Sequence, residues 1–392
     1  MKLLFLANRI PYPPFRGDKL KIYNLARRLS KSHELILVTF TQTEEDKAYR
    51  KELEQIFKEI HLVHLPKWRS ALNCISALWS DLPLQVLYFH SNEMKSCLDN
   101  VLQKHHFDAI HVQHLRMAPY LSSRADLPRI LDLPDAFSLY WERRKKVRRG
   151  YLRTLFENAE QKRVLRFEAV MKEYQLSLVC SPEDLDYLKQ VHQVKNIRVL
   201  PNGVDLTTFS GEEHDYSQCQ SILFTGNMDY APNIDAVIYF VNEILPLIHL
   251  QHPDTTFIIA GQRPIEKVLD LASDKVVVTG FVKDLAEVYA SASVVVAPLR
   301  FGAGTQNKVL EAMAMGVPVV CTNIGFLGLG IESGEGAIMQ TDTQKFAASV
   351  CELLSSATYR KHVGQKGKEV VRTLFDWDVI TSTLEKYFRE IA

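Results

Sequence analysis

No apolar run in the 392 residues approaches the roughly 20 consecutive residues that span a bilayer. The opening segment MKLLFLANRIPYPP is too short for a secretory leader and runs into an ordinary strand pattern. Cysteine is scarce and scattered. Cys74, Cys97, Cys180, Cys219, Cys321 and Cys351 form no C-x-x-C pair, which reads as reduced thiols of a cytosolic chain rather than a disulfide or zinc framework. Also missing are G-x-x-x-x-G-K-[ST], G-x-S-x-G and G-x-G-x-x-G. Their absence argues against P-loop ATPases, α/β hydrolases and simple dehydrogenases. The chain has no internal repeat, no low-complexity segment and no nucleic-acid-binding motif, so nucleic acid is not an expected partner. Such a chain is expected to stay inside the cell.

What is present is alternation. Short apolar runs at 2–7, 34–40, 60–65, 108–113, 129–133, 176–181 and 197–201 are separated by helical patterns such as 20–30 and 44–60. A polar stretch of helical period over 134–175 predicts two helices. The second half repeats the theme with runs at 221–226, 255–261, 276–280, 293–298 and 317–322. Its helices are expected near 232–248, 264–272, 283–291, 305–315, 343–356, 358–373 and 377–390. Continuous apolar strands alternating with helices predict an α/β chain of parallel, doubly wound sheets. With 46% apolar and 24% charged residues, the length predicts two Rossmann-like domains of roughly 150–200 residues each. The pattern breaks over 200–220, LPNGVDLTTFSGEEHDYSQCQ, which places one domain at 1–204 and the next at 205–374. In this architecture ligands lie beyond the carboxyl ends of the strands, here in a cleft that the two domains face.

The net charge of +1 hides an asymmetry of +10 over residues 1–200 and −9 over 201–392. The densest basic segment, Trp141 to Arg153, carries seven bases and one acid. Either it is a solvated helix face, or it meets anionic lipid headgroups, each base adding ~1 kcal/mol close to the surface.

The strongest chemical signal is GAGTQNKVLEAMAMGVPVV at 302–320. Gly302, Gly304 and Thr305 leave a strand and start a helix, where exposed N–H groups and the helix dipole make an anion site. Lys308 in the first turn opposes the bare dipole unless an anion such as a diphosphate is bound. Glu311, three residues on, shares its face and can accept two hydrogen bonds from a vicinal diol such as ribose. The competing reading is a plain i,i+3 salt bridge between the two. Weaker signals accompany it. Gly17 precedes a helix after the first strand, and Gly226 ends a strand ahead of Pro232 and Asn233, which read as a loop and a cap. His111 and His114 lie at the end of DAIHVQ, so at least one points beyond the strand ends, but no third ligand at useful spacing suggests a metal. Asp132 and Asp135 flank Pro134 after a strand, either capping the next helix or lining the acceptor side.

At these residues the chain resembles a known family. LPNGVDLTTF, ILFTGNMDYAPNIDAVIYF, FIIAGQRP, VVVTGFVKDLAEVYASASVVVAPL and KVLEAMAMGVPVVCT cover most of 198–322. They resemble, in order, the nucleotide-sugar-binding domain of the family 4 glycosyltransferases, retaining enzymes of the GT-B fold. IPYPPFRGDKLKIYNLARRLSKSHELILVTF is similar to the family's acceptor domain. The likeness is greatest to bacterial sugar transferases of exopolysaccharide and lipid-linked glycan synthesis. It implies a donor site of Gly17, Arg16, Gly226, Asn227, Arg263, Arg300, Gly304, Thr305, Gln306, Lys308 and Glu311, with Glu311 on the ribose. Where the family has a glycine pair, this chain has Arg16-Gly17. Where it often has a sugar-contacting glutamate, this chain has Ala303. Asn227 and Pro232 stand for its Arg and Lys, leaving Lys308, helped by Arg300 or Arg263, to supply charge. The family's histidine falls in register on Gln113, with His114 one step beyond; these two are the implied catalytic positions. The segment 375–392 fits the family's last helix, which crosses back to the first domain.

The resemblance implies transfer of a sugar from a nucleoside diphosphate sugar to a glycan or lipid-linked acceptor hydroxyl with retention. No metal and no cofactor are expected, since N–H groups and basic side chains stabilise the leaving diphosphate. The expected location is cytoplasmic, peripheral at the inner face of the plasma membrane through Arg143 to Arg153. Two other functions fit: a sugar-nucleotide epimerase of the same fold, or a non-catalytic nucleotide-sugar-binding partner of another transferase.

Overall fold

The computed structural model describes residues 1–14, 17–147, 150–209, 214–217, 220–302 and 304–392, within which the apolar runs become two all-parallel sheets. The first holds β1 (Lys2–Ala7), β2 (Glu34–Thr41), β3 (Glu59–His64), β4 (Ala109–Gln113), β5 (Arg129–Leu133), β6 (Leu176–Val179) and β7 (Ile197–Val199). Their order is β3-β2-β1-β4-β5-β6-β7. The second holds β8 (Ser221–Thr225), β9 (Thr256–Ala260), β10 (Val276–Gly280), β11 (Val294–Ala297), β12 (Val319–Cys321) and β13 (Ala337–Met339), ordered β10-β9-β8-β11-β12-β13. Each order reverses once, between β1 and β4 and between β8 and β11. Loops at such a switch point leave in opposite directions and open a crevice beyond the strand ends.

The helices around these sheets include α1 (Gly17–Leu29), α2 (Lys67–Ile75), α3 (Phe137–Val147), α4 (Tyr151–Phe167), α5 (Ala231–Tyr239), α6 (Asn307–Ala314) and α7 (Trp377–Ile391). Successive strand residues feed opposite cores. Leu4, Leu6, Ile36 and Val38 enter one, and Leu3, Phe5, Leu35 and Leu37 the other. Helices cover both faces, which is why β4 and β5 are buried along their whole length, the polar His111, Gln113, Arg129 and Asp132 included.

The chain divides into two compact units, one of Met1–Asn202 with Trp377–Ala392 and one of Gly203–Asp376. In the first unit α7 places Trp377, Ile380, Leu384 and Phe388 in the core of Leu3, Phe5 and Ile22. Their spacing makes one apolar stripe, and each fully buried side chain contributes about 1.5–3 kcal/mol. An Arg28–Asp378 ion pair at 2.6 Å lies at its rim.

Three local expectations change. The helix expected over 44–60 is two short pieces, Glu44–Ala48 and Arg50–Leu53, and Glu59 already belongs to β3. Phe57 is drawn into the core edge-on to Phe5 at 5.9 Å, so tertiary packing ends the helix early. The short strand β13 and the helix α2 were not anticipated. Finally, Ala231–His249 is a helix of 19 residues, long and apolar enough by composition to cross a membrane. Its Ala236, Val237, Phe240, Ile244 and Ile248 are packed in the core of the second unit, against Phe224, Phe257 and Val294.

Candidate functional site

In the second unit the loops after β8 and β11 leave neighbouring strands at the switch point. The loop after β11 enters α6 through Gly302 and Gly304, with φ of 150° and 71°, conformations that glycine adopts without strain. The loop after β8 is packed still more closely. A Cβ on Gly226 would lie 2.5 Å from Asn233 Nδ2, and one on Gly261, after β9, would lie 1.7 Å from the Gly226 carbonyl oxygen. Backbone bonds from Gly226 N–H to Ala260 O (3.0 Å) and Met228 N–H to Gln262 O (2.8 Å) lock the two loops together. Asn233 on α5 is fixed between them. Its Nδ2 donates to Asn227 O at 3.0 Å, and its Oδ1 accepts from Lys308 Nζ at 3.1 Å.

Lys308 and Glu311 share a helix face, yet among the described residues no ion pair joins them. The Lys308 ammonium meets Asn233 and lies 5.1 Å from the centre of the Phe224 ring. Glu311 accepts instead from the Tyr289 hydroxyl at 2.9 Å, and that hydroxyl is 2.6 Å from Thr225 Oγ1. Burial pushes the Lys308 amine down to about 8, against the pull of Glu311. Burial also pushes the Glu311 carboxyl up, opposed by the Tyr289 bond and by Lys308. Each charge thus has a neutral partner and incomplete solvation. An anion at the ammonium and hydroxyl donors at the carboxylate would both be favourable. Asn233, Tyr289 and Thr225 were not foreseen as supports. Only tertiary packing brings them to this helix.

The remaining expected residues of this unit are placed as follows. Thr305 is buried with Oγ1 3.5 Å from Gly328 O, and Gln306 is the residue preceding α6. Arg300 forms two bonds to Asp235, at 2.9 and 2.7 Å, and lies over the Tyr239 ring. Arg263 is exposed, adopts φ of 56°, and sits 3.4 Å from an Asp229 oxygen. Both guanidinium groups are therefore engaged by carboxylates. Asn227 offers its carbonyl to Asn233, and Pro232 is in the first turn of α5. Ala303 lies outside the described residues.

In the first unit Gly17 opens α1, while Arg16 lies outside the described residues. His111 does not point beyond the strand ends. It is buried against Phe5 and Phe388, with Nε2 3.2 Å from Asp132. Asp132 is likewise neither a cap nor a lining residue. Its other oxygen accepts from buried Lys21 at 2.7 Å, and Lys21 also donates to Leu200 O at 2.9 Å. Burial opposes the charge on Asp132, but Lys21 and His111 outweigh it and lower its pKa. Asp135 is half-buried past the end of β5, where burial, then Asp184 and Asp18, push its carboxyl up to about 8.

Gln113 donates to the Asp18 carbonyl at the start of α1. His114 follows β4 in a left-handed conformation (φ 77°), its ring 4.7 Å from Phe137. Burial, with Arg116 and Arg9, holds its pKa well below the usual histidine range, so the imidazole is neutral. Its Nδ1 accepts from the Arg116 N–H at 3.3 Å, which assigns the ring proton to Nε2. Around Trp141 to Arg153 much of the charge is paired internally. Arg143 meets Glu183, Arg144 and Arg153 meet buried Glu157 at 3.0 and 3.1 Å, and Lys146 meets Glu142 at 3.2 Å. Arg148 and Arg149 lie outside the described residues.

Known proteins share both the sequence pattern and this architecture. Residues 21–208 match the model of Glycosyltransferase Family 4, and residues 219–356 that of Glycosyl transferases group 1. An uncharacterized 44.6 kDa protein in the cps region of Klebsiella pneumoniae is 22% identical, over 98% of this chain and 99% of its own. An uncharacterized glycosyltransferase of Methanocaldococcus jannaschii is 25% identical, over 70% of each chain. Sucrose-phosphate synthase from Thermosynechococcus elongatus superposes with a TM-score of 0.73 at 16% identity, covering 100% of this chain and 98% of its own. HepE of Anabaena, solved in complex with UDP, gives 0.70 at 15% identity with 100% of both chains covered. With two GT-B-type sheets and family matches along both halves, this chain belongs to the glycosyltransferases of family 4.

Proposed function

We propose that the chain is a retaining, metal-independent hexosyltransferase. It moves a sugar from a nucleoside diphosphate sugar to a hydroxyl of a glycan or lipid-linked acceptor in cell-surface polysaccharide synthesis. The observation that carries this reading is the separation of Lys308 from Glu311, each with its own neutral partner. In the reaction Lys308 and the start of α6 stabilise charge that grows on the leaving diphosphate, and Glu311 holds the ribose hydroxyls. His114, neutral with its proton on Nε2, donates to a hydroxyl of the transferred sugar. The second unit binds the donor and the first the acceptor. Support comes from the UDP and UDP-glucose complexes of HepE, and from the cps region of the Klebsiella relative. The enzyme is cytoplasmic, held at an anionic membrane surface near Arg143 to Arg153.

One observation favours a second reading. Asn227 and Pro232 leave the loop after β8 without a basic side chain, as a non-catalytic nucleotide-sugar-binding partner would tolerate. Release of nucleoside diphosphate from a panel of donors, by wild type and by Glu311→Ala, separates the two. Turnover with one donor, reduced roughly 100-fold in the variant by loss of two hydrogen bonds to a charged group, is expected. Tight nucleotide binding with no turnover on any donor would favour the second reading.

The Lys308 amine adds a pH prediction. Burial lowers its pKa to about 8 in the free protein, and a bound diphosphate raises it. Nucleotide affinity is therefore full below that pH and declines as pH rises through it, and binding above it takes up a proton. Calorimetry in two buffers of different ionisation enthalpy measures that uptake. Equal heats would contradict the placement of the anion at Lys308.

A further inference from the structure

The first unit exposes an apolar helix face that the donor site does not use. On α2, Trp68, Leu72 and Ile75 stand at i, i+4 and i+7, one face of the helix, and Trp79 follows the 3-10 turn Ser76–Leu78 that continues it. That face is in solvent: Trp68 is 65% exposed, Trp79 82%, and the adjacent Leu78 75%. The other side is the one that holds the segment to the protein. Ser70 and Ala77 are buried, Arg69 pairs with Glu93 at 2.7 Å, and Asn73 donates to His90 O at 2.8 Å. An ordinary surface helix is arranged the opposite way, with its apolar stripe inward.

α4 continues the surface. Arg163 donates to the Ala77 carbonyl at 2.7 Å, and Glu160 accepts from Leu84 N–H at 2.8 Å, so this side of α4 rests on the end of the α2 segment and on the helix that follows it. One and two turns before Glu160 on the same side stand Phe156 and Leu152, both exposed. The segment's own charge has one sign, with acids only at its border, where Glu93 meets Arg69 and Asp81 meets Arg166 at 3.3 Å. Lys67 and Arg69 flank Trp68, and no acid occurs between residues 67 and 80. Arg153 follows Leu152.

We propose that α2 and the start of α4 form a membrane-docking surface, which seats Trp68, Leu72, Ile75, Leu78 and Trp79 at the headgroup–acyl boundary of an anionic bilayer. Two indoles bracketing aliphatic side chains suit that boundary, where one part of the ring is apolar and its N–H is wet. The segment is far too short to span and lies in the interface plane. A second copy of the chain is a poorer occupant. A two-fold contact would set this patch against itself and bring Lys67, Arg69 and Arg153 towards their own copies. The partner is the one named above for Arg143 to Arg153, but the contact moves to an apolar face. Because several of those bases are already paired within the protein, insertion carries more of the binding than charge does. The inference does not depend on the donor chemistry.

Co-sedimentation with vesicles of phosphatidylglycerol and phosphatidylcholine in equal amounts tests it, together with quenching of tryptophan fluorescence by acyl-brominated lipid. Wild type is expected to bind, to be quenched, and to keep a salt-resistant part of its affinity. The double variant Trp68→Ser, Trp79→Ser is expected to lose affinity by roughly 100-fold through lost apolar burial. All of these positions are on the surface, so its melting temperature and nucleotide binding should be unchanged. A variant with Arg143, Lys145 and Lys146 changed to glutamine should keep the quenching and lose only the low-salt enhancement. The proposal is overturned if the tryptophan variant binds as wild type, or if the glutamine variant alone abolishes binding, leaving charge as the contact. It is also overturned if wild type binds no vesicle, or if sedimentation shows a dimer that the tryptophan variant abolishes.

Discussion

Lys308→Met is expected to lower kcat/KM by roughly a thousandfold, equivalent to about 4 kcal/mol of transition-state stabilisation. The ammonium lies in a buried site over Phe224, where water screens it little, and its charge is worth most as negative charge grows on a departing diphosphate. Because that charge is larger in the transition state than in the bound donor, kcat should fall more than KM rises. Methionine keeps most of the volume, so the packing against Phe224 survives. The variant does leave Asn233 Oδ1 without its donor, a cost of about 1–3 kcal/mol in stability. Steady-state kinetics with the donor found active, alongside a thermal melt, separates the two effects. A variant that melts normally and retains wild-type turnover would remove Lys308 from the chemistry.

Gly261→Ala should destabilise the second unit by about 4 kcal/mol or more, lowering its melting temperature by roughly 10 °C. The new Cβ would stand 1.7 Å from the Gly226 carbonyl oxygen, and φ at Gly261 is 154°. Both contacting groups are backbone, so no side chain can rotate away. The displaced loop is the one that fixes Asn233, and through it Lys308, so donor binding should fall as well. Gly280→Ala is the control. Its φ is 70°, but nothing lies within 4 Å of a Cβ there, so only the roughly 1–2 kcal/mol of left-handed strain applies. Equal melting shifts for the two variants would show that close approach of the loops contributes nothing.

Much of the architecture was legible because strands buried on both faces read as continuous apolar runs. The ends of β1, β5 and β10 coincide with the runs at 2–7, 129–133 and 276–280. What failed had local causes. β13 is three residues long beside Gly334 and Gly336, too short for a periodic signal. The helix expected over 44–60 looked continuous because Phe57 fits a helical period, yet its ring belongs to the sheet core. The spacing of Trp68, Leu72, Ile75 and Trp79 was present in the sequence. Period alone cannot say whether such a stripe faces a core or water.

The candidate site shows the same division. That Lys308 and Glu311 share a face follows from three-residue spacing on a helix. That they do not pair depends on Asn233, 75 positions away, and Tyr289, 22 positions away, which no spacing rule brings together. Strand period likewise could not decide which histidine after DAI is structural. The ion pair of Lys21 with Asp132 draws His111 inward and leaves His114, in its left-handed turn, beyond the strand end.

The decisive titration follows ribonucleoside diphosphates and their 2′-deoxy counterparts into wild type and Glu311→Ala by calorimetry. If Glu311 holds the ribose, one ribonucleotide binds wild type and loses roughly 100-fold in affinity on either change alone, through hydrogen bonds to a charged group. Combining the two changes then costs little more, because the same contact has already been lost. Equal affinity of wild type for the ribo and deoxy forms, unchanged affinity in Glu311→Ala, or no nucleotide binding at all would contradict the site.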